Sequence, residues 1–205
     1  MAILRDTTIE GSLIVNNNLS VGGFTLKEGN IEVFPMNKIQ ASDLEASDIF
    51  GNSVAISGDY AIVGAPYEDT GGSSAGAAYI FRRTDTNTWD AGVKIQASVP
   101  HANDFFGRSV AISGDYAIVG AYLEDAGGTW DAGAAYIFRR TDTNTWDAGT
   151  KIMASDKQAG DYFGISVAIS GDYAIVGAPW EDPGGITDAG SAYFYRICKY
   201  LTIVS

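Results

Sequence analysis

The chain has 205 residues, 46% hydrophobic and 19% charged, with a formal net charge of −12. This composition supports a packed core and argues against disorder, and the acidic balance argues against nucleic acid as a partner. One cysteine, Cys198, excludes an intramolecular disulfide, and no apolar run approaches the 18 residues of a membrane span.

From the start of the chain, no secretory leader pattern is visible, so export by another route, such as release of virus particles by lysis, is expected. Leu13-Ile14-Val15 and Leu19-Ser20-Val21 repeat an apolar-x-apolar pattern around Asn16–Asn18, and Gly22-Gly23 leads to Phe24-Thr25-Leu26. Residues 1–34 are read as a β arm for attachment or oligomerisation. The plainer alternative is an extra hairpin covering an open sheet edge.

From residue 35 the chain repeats itself. Ser-Val-Ala-Ile-Ser-Gly-Asp-Tyr-Ala-Ile-Val-Gly-Ala occurs at 53–65, 109–121 and 166–178, with periods of 56 and 57 residues. Phe-Gly precedes each copy, as Phe50-Gly51, Phe106-Gly107 and Phe163-Gly164. Lys-Ile-x-Ala-Ser opens each unit, so the expected units are about 38–93, 94–150 and 151–205.

Each unit reads as four short strands. In the first, 53–57 and 60–65 flank a Gly58-Asp59 turn, and an acidic, Gly-rich loop spans 66–76. Residues 77–83 form the third strand, 84–88 a polar turn holding Trp89 at its end, and 93–97 the fourth strand. The third unit lacks the Arg-Arg-Thr-Asp-Thr-Asn-Thr-Trp segment, and residues 200–204 read as a further strand, either a cap or an exchanged edge. Such units suggest propeller blades. A lone blade cannot cover both its faces, so each Phe-Gly pair (Phe50, Gly51, Phe106, Gly107, Phe163, Gly164) is expected to pack between blades.

Asp-x-Phe-Gly-x-Ser-Val followed by Gly-Ala-Pro resembles the FG-GAP repeat of integrin α-subunit propellers. Gly-Ala-Pro is intact at Gly64-Ala65-Pro66 and Gly177-Ala178-Pro179, and altered at Gly120-Ala121-Tyr122. The resemblance covers residues 35–196 and implies an all-β fold of three tandem propeller-like blades used for protein or glycan contact. Integrin-type blades often carry an Asp-x-Asp-x-Asp-Gly calcium loop; this sequence has none. The N-terminal segment resembles the Gly/Asn-punctuated β segments of phage tail-fibre shafts and virion attachment arms.

Closed propellers have four to eight blades, and three blades leave two apolar faces bare. A homo-oligomer or larger assembly is therefore expected, two chains forming a six-bladed ring being one form.

Candidate chemistry is sparse. His101 has no placed partner for acid–base work, and Cys198 has no histidine partner. Acidic residues recur at Asp48, Asp104 and Asp161, and at Glu68-Asp69, Glu124-Asp125 and Glu181-Asp182. They are candidates for ligand or weak cation contact. Each loop offers two or three carboxylates where Ca²⁺ takes six to eight oxygens, so no cofactor is expected, Ca²⁺ being the one ion the loops approach. Adjacent Glu and Asp on a strand point to opposite faces, unlike the facing carboxyls of a glycosidase. Trp130 and Trp180, in the acidic loops, are candidates for glycan contact; for them, as for Trp89 and Trp146 in the turn after the third strand, blade-edge packing is the favoured alternative.

The expected protein is non-catalytic: an extracellular or virion-surface component, of a virion or fibre, mediating assembly or receptor contact. The alternative is a cell-surface carbohydrate- or protein-binding module. The copies are too alike for sequence to mark one unit as functional.

Overall fold

A computed structural model of the chain describes residues 19–21, 24–26, 35 and 37–198. It divides into two units, Met1–Met36 and Asn37–Ser205. In the first, β1 (Leu19–Val21) pairs antiparallel with β2 (Phe24–Leu26), Val21 opposite Phe24 across the Gly22-Gly23 connection. The strand-like stretches at 13–15 and 200–204 lie outside the described residues.

The second unit is all β. The first blade is a meander of β3 (Ser53–Ser57), β4 (Tyr60–Ala65) and β5 (Ala77–Asp85). Its outer edge is shared by β6 (Thr88–Trp89) and β7 (Val93–Ile95), both paired with β5. The second blade repeats this with β8 (Ser109–Ser113), β9 (Tyr116–Ala121), β10 (Ala134–Asp142), β11 (Thr145–Trp146) and β12 (Thr150–Ile152). The third has β13 (Ser166–Ser170), β14 (Tyr173–Ala178) and β15 (Ser191–Arg196), with no described strand on the outer edge of β15. Among the described residues, helix is limited to two three-residue 3-10 turns, Ala126–Gly128 and Pro183–Gly185.

Three expectations need adjustment. The third strand runs two residues further than expected, to Asp85, so the turn shrinks to Thr86-Asn87 and Trp89 sits in a strand. The fourth strand is split, because β6 follows the end of β5 while β7 pairs nearer its start. The Lys-Ile segment that opens each sequence repeat belongs to the preceding sheet: Lys94-Ile95 pairs with β5, and Lys151-Ile152 with β10.

Alternation along each strand sorts side chains between two faces, and the core consists of the seams between blades. Tyr60, Ile62, Ala78 and Ile80 on the trailing face of blade one pack with Val110, Ile112, Val119, Tyr136 and Phe138 on the leading face of blade two. Ile118 and Ala135 of blade two meet Val176, Ala174 and Phe163 of blade three in the same way.

Each Phe-Gly ring sits edge-on to an aromatic pair from the third strand of its own blade. Phe106 lies 5.4 Å from Tyr136 and 6.0 Å from Phe138, and Phe163 lies 5.5 Å from Tyr193 and 6.0 Å from Tyr195. Both rings are fully buried, because the preceding blade closes over them. Phe50 makes the same contacts, at 5.5 Å to Tyr79 and 6.0 Å to Phe81, yet is only half-buried. Full burial of such a ring stabilises by about 1.5–3 kcal/mol.

The glycine of each pair works through its carbonyl. Gly107 O accepts from Ser53 Oγ at 2.8 Å, and Gly164 O from Ser109 Oγ at 2.7 Å. A Cβ on Gly64 or Gly120 would overlap these carbonyls, so the glycine of Gly-Ala-Pro is what lets the next Phe-Gly seat against the strand.

Candidate functional site: acidic loops and a cleft in the middle blade

The nine recurring carboxylates fall into three structural roles. Asp48, Asp104 and Asp161 are buried, and each accepts the backbone N–H three residues earlier: Glu45 at 3.0 Å, His101 at 2.9 Å and Gln158 at 2.5 Å. They close the turn that presents each Phe-Gly. Asp69, Asp125 and Asp182 pin the acidic loop from inside, accepting from the N–H groups of Ser74 (2.7 Å), Asp131 (2.9 Å) and Asp188 (2.7 Å).

Glu68, Glu124 and Glu181 are also buried. Glu68 accepts from Lys94 Nζ at 2.7 Å, Thr70 N at 3.0 Å and Gln96 Nε2 at 3.0 Å. Lys94 also donates to Asp43 at 2.8 Å. Burial opposes the Lys94 charge, but Asp43 and Glu68 outweigh it and hold its pKa above the ordinary value. Glu124 pairs with Lys151 and accepts from Tyr136 OH at 2.8 Å, and Glu181 accepts from Ser191 Oγ. Burial, with the neighbouring carboxylates, keeps the Tyr79, Tyr136 and Tyr193 hydroxyls protonated far above neutral pH.

Among the described residues, no group of three or more His, Cys, Asp or Glu side chains is gathered for a metal ion. The acidic loops direct carboxylate oxygens at backbone amides, lysines and hydroxyls.

The tertiary structure distinguishes one blade. In blades one and three, Tyr79 and Tyr193 donate to Asp43 (2.6 Å) and Asp156 (2.8 Å). In blade two the matching residue is Val99, 61% exposed, and Tyr136 turns to Glu124 instead. A cleft of about 440 Å³ opens in this blade, between the loop holding His101, Asn103 and Asp104 and the loop holding Glu124, Trp130 and Asp131. Trp130 stands on the cleft, 70% exposed. Burial, opposed by the His101 N–H and reinforced by Glu124, raises the Asp104 carboxyl to about 6. Burial and the nearby Asp125 raise Asp131 as well.

The sequence-level candidates therefore separate. Trp130, Asp104, Glu124 and Asp125 come together with His101 on one cleft. Trp180 lies elsewhere, 5.0 Å from Tyr162 at the end of an aromatic row. The row runs Tyr67–Phe105–Tyr122–Tyr162–Trp180 across all three blades, with centroid spacings of 5.1, 5.9, 5.7 and 5.0 Å. Sequence reasoning missed this row, along with Asn103, Asp131 and Lys151 of the cleft. The available signal was the break in repeat identity at Val99 and Tyr122. A second recess, of about 390 Å³, lies among the hairpin turns and is lined by Asp59, Tyr60, Arg82 and Arg140. Cys198 is exposed.

Blades of antiparallel strands, seams built from Phe-Gly joints, and a cleft in the loops of one blade define a propeller-like repeat module. The FG-GAP repeat family matches residues 35–81, 89–138 and 146–195, and the chain belongs to that family. The match does not extend to residues 1–34. Repeats of this kind are often used in binding or adhesion, are generally non-enzymatic, and are typical of extracellular or surface proteins. A comparison with curated proteins found no match. No helix among the described residues is long and apolar enough to cross a membrane.

Proposed function

We propose that the chain is a non-catalytic recognition module whose middle blade binds a glycan. The observation that supports this most directly is Trp130, 70% exposed on a polar cleft in the blade that departs from its sister repeats. An exposed indole offers an apolar face to the C–H face of a sugar ring, and Asn103, His101 and Asp131 supply donors and acceptors for hydroxyls. The absence of Trp at the matching Thr187 makes the site particular to one blade, as a ligand site would be and a packing residue would not.

A glycan array probed with the full chain and with Trp130→Ala tests this. Binding to a defined glycan that the substitution abolishes, with the fold intact, supports the reading. Binding unchanged by the substitution, or no binding to any glycan, overturns it and leaves a protein ligand as the occupant to seek.

A role at a virion or fibre surface rests on the pattern of residues 13–26 alone. Deleting residues 1–34 should then abolish incorporation into a larger particle while leaving glycan binding in place. Unchanged incorporation would remove that role.

A further inference from the structure

We propose that two copies of this chain join head to tail, blade three of each against blade one of the other, to close a ring of six blades. The two internal seams define what such a joint requires, and the two ends of the blade array carry its two unfilled halves.

At each internal seam the Phe-Gly carbonyl of the following blade enters a slot made by the glycine of Gly-Ala-Pro and the first serine of the preceding blade. Gly64 and Ser53 receive Gly107, and Gly120 and Ser109 receive Gly164. In blade three the slot is formed by Gly177 and Ser166, and a Cβ at Gly177 would meet only Ser166. It opens on a shallow recess of about 180 Å³ lined by Ser166, Val167, Ala168, Ile175, Gly177 and Ala192. At the other end, Gly51 has nothing within 4 Å of its Cβ position, whereas Gly107 and Gly164 abut the backbone carbonyls of Ala77 and Ala134.

The backbone tells the same story. Phe106 N donates to Ala75 O, and Phe163 N to Ala132 O, both at 3.0 Å. The corresponding acceptor in blade three is Ala189 O and the corresponding donor is Phe50 N; among the described residues neither has such a bond. The donor side is already shaped, since Ile49 holds φ 52°, matching Phe105 at 53° and Tyr162 at 55°. A β-branched residue is costly in that region, and the turn that holds it, with Asn52 N donating to Ile49 O at 3.1 Å, is the one Arg108 N and Phe105 O form at the first internal seam.

The exposed apolar faces match by repeat position. Val54 and Ile56, on the leading face, are 68% and 67% exposed, while their counterparts Val110 and Ile112 are buried at the first seam. Tyr173 and Phe194, on the trailing face, are 58% and 77% exposed, while Tyr60 and Ile80 are buried there. Trp180 ends the aromatic row, half-exposed, and Ile49 of the other copy would meet it as Phe105 meets Tyr67. The strand phase also fits. Asn37-Lys38-Ile39 aligns with β7 and is in no described strand, and the outer edge of β15 has no described partner.

A head-to-tail joint either closes or propagates. Two copies give six blades, within the four to eight of closed propellers, and three copies give nine, outside it. The inferred occupant is therefore one second copy, held by two identical joints.

Sedimentation equilibrium of the full chain, under reducing conditions that exclude Cys198 disulfides, should give twice the 21.6 kDa chain mass. Ile56→Lys and Phe194→Lys alter side chains exposed within one chain, so each should fold with an unchanged circular dichroism spectrum and sediment as a monomer. An equal mixture of the two variants retains one good leading face and one good trailing face, and should sediment above either variant alone. A monomeric wild-type chain, a dimer that survives either substitution, a mass above the dimer, or a mixture no heavier than its parts would each overturn the proposal. Loss of dimer with only one of the two substitutions would reveal a face that pairs with itself, and would overturn it too.

Discussion

The carbonyl of Gly107 occupies the space where a side chain on Gly64 would begin, and Ser53 Oγ fixes it there with a 2.8 Å hydrogen bond. Gly164 stands in the same relation to Gly120. Gly64 and Gly120 lie in ordinary strand backbone, so their need for glycine is close approach and not a left-handed φ.

Gly120→Ala should therefore force the second seam apart and destabilise the fold by about 1–3 kcal/mol, the cost typical of an overpacked core. Gly177→Ala faces only a serine hydroxyl within one chain. In the monomeric Phe194→Lys background it should shift the urea midpoint by far less. Equal midpoint shifts for the two would refute the slot as the reason for the glycine.

Glu124→Ala should cost about 3 kcal/mol, the range for breaking a buried ion pair, because it leaves both Lys151 and the Tyr136 hydroxyl without their partner. Glu181→Ala abandons, among the described residues, only the Ser191 hydroxyl and should cost less, about 1 kcal/mol. Chemical denaturation of the two variants side by side reads the difference. A larger loss at Glu181 would contradict the assignment of roles.

Asp104 gives the fold a pH dependence whose sign follows from its raised pKa of about 6. An unfolded Asp titrates near 3.9, so between about pH 4 and 6 the folded chain binds more protons at this site than the unfolded chain. Its contribution to stability is thus most favourable below that window and declines as pH rises through it. Asp104→Asn retains the acceptor for the His101 N–H and cannot ionise. The stability difference between variant and wild type should grow in the variant's favour from pH 4 to pH 7, measured by thermal melts across that range. A difference independent of pH would show that Asp104 is not desolvated as described.

Calcium is expected to produce no binding heat in calorimetry and no thermal shift, because the recurring carboxylates already serve lysines, hydroxyls and backbone amides. A stabilisation by Ca²⁺ that Glu68→Gln removes would instead place the ion in the first acidic loop.

Much of the blade was legible because its signals are local. The Gly58-Asp59 turn, the alternation through 53–57 and 60–65, and the threefold recurrence all depend on near neighbours, and the strands follow them. The split outer strand was less legible, since pairing of both β6 and β7 with β5 depends on a register shift between Arg83 and Asp85 that no pattern of apolar residues encodes. The acidic residues stood out by recurrence, but recurrence could not tell a carboxylate that closes a turn from one that meets a ligand. Burial of Asp48, Asp104 and Asp161 against backbone N–H groups reveals their turn-closing role, and it involves atoms the sequence leaves unplaced.

By itself the sequence determined the class of architecture: three modules of short antiparallel strands with apolar faces, because side-chain alternation and turn chemistry act over a few residues. Only the tertiary structure decided which face meets which, that Val99 leaves Tyr136 to pair with Glu124, and that Trp130 stands on a cleft while Trp180 ends a row. Those outcomes depend on residues brought together from different strands and blades. Near-identical repeats acquire different surroundings simply by being first, middle or last in the array.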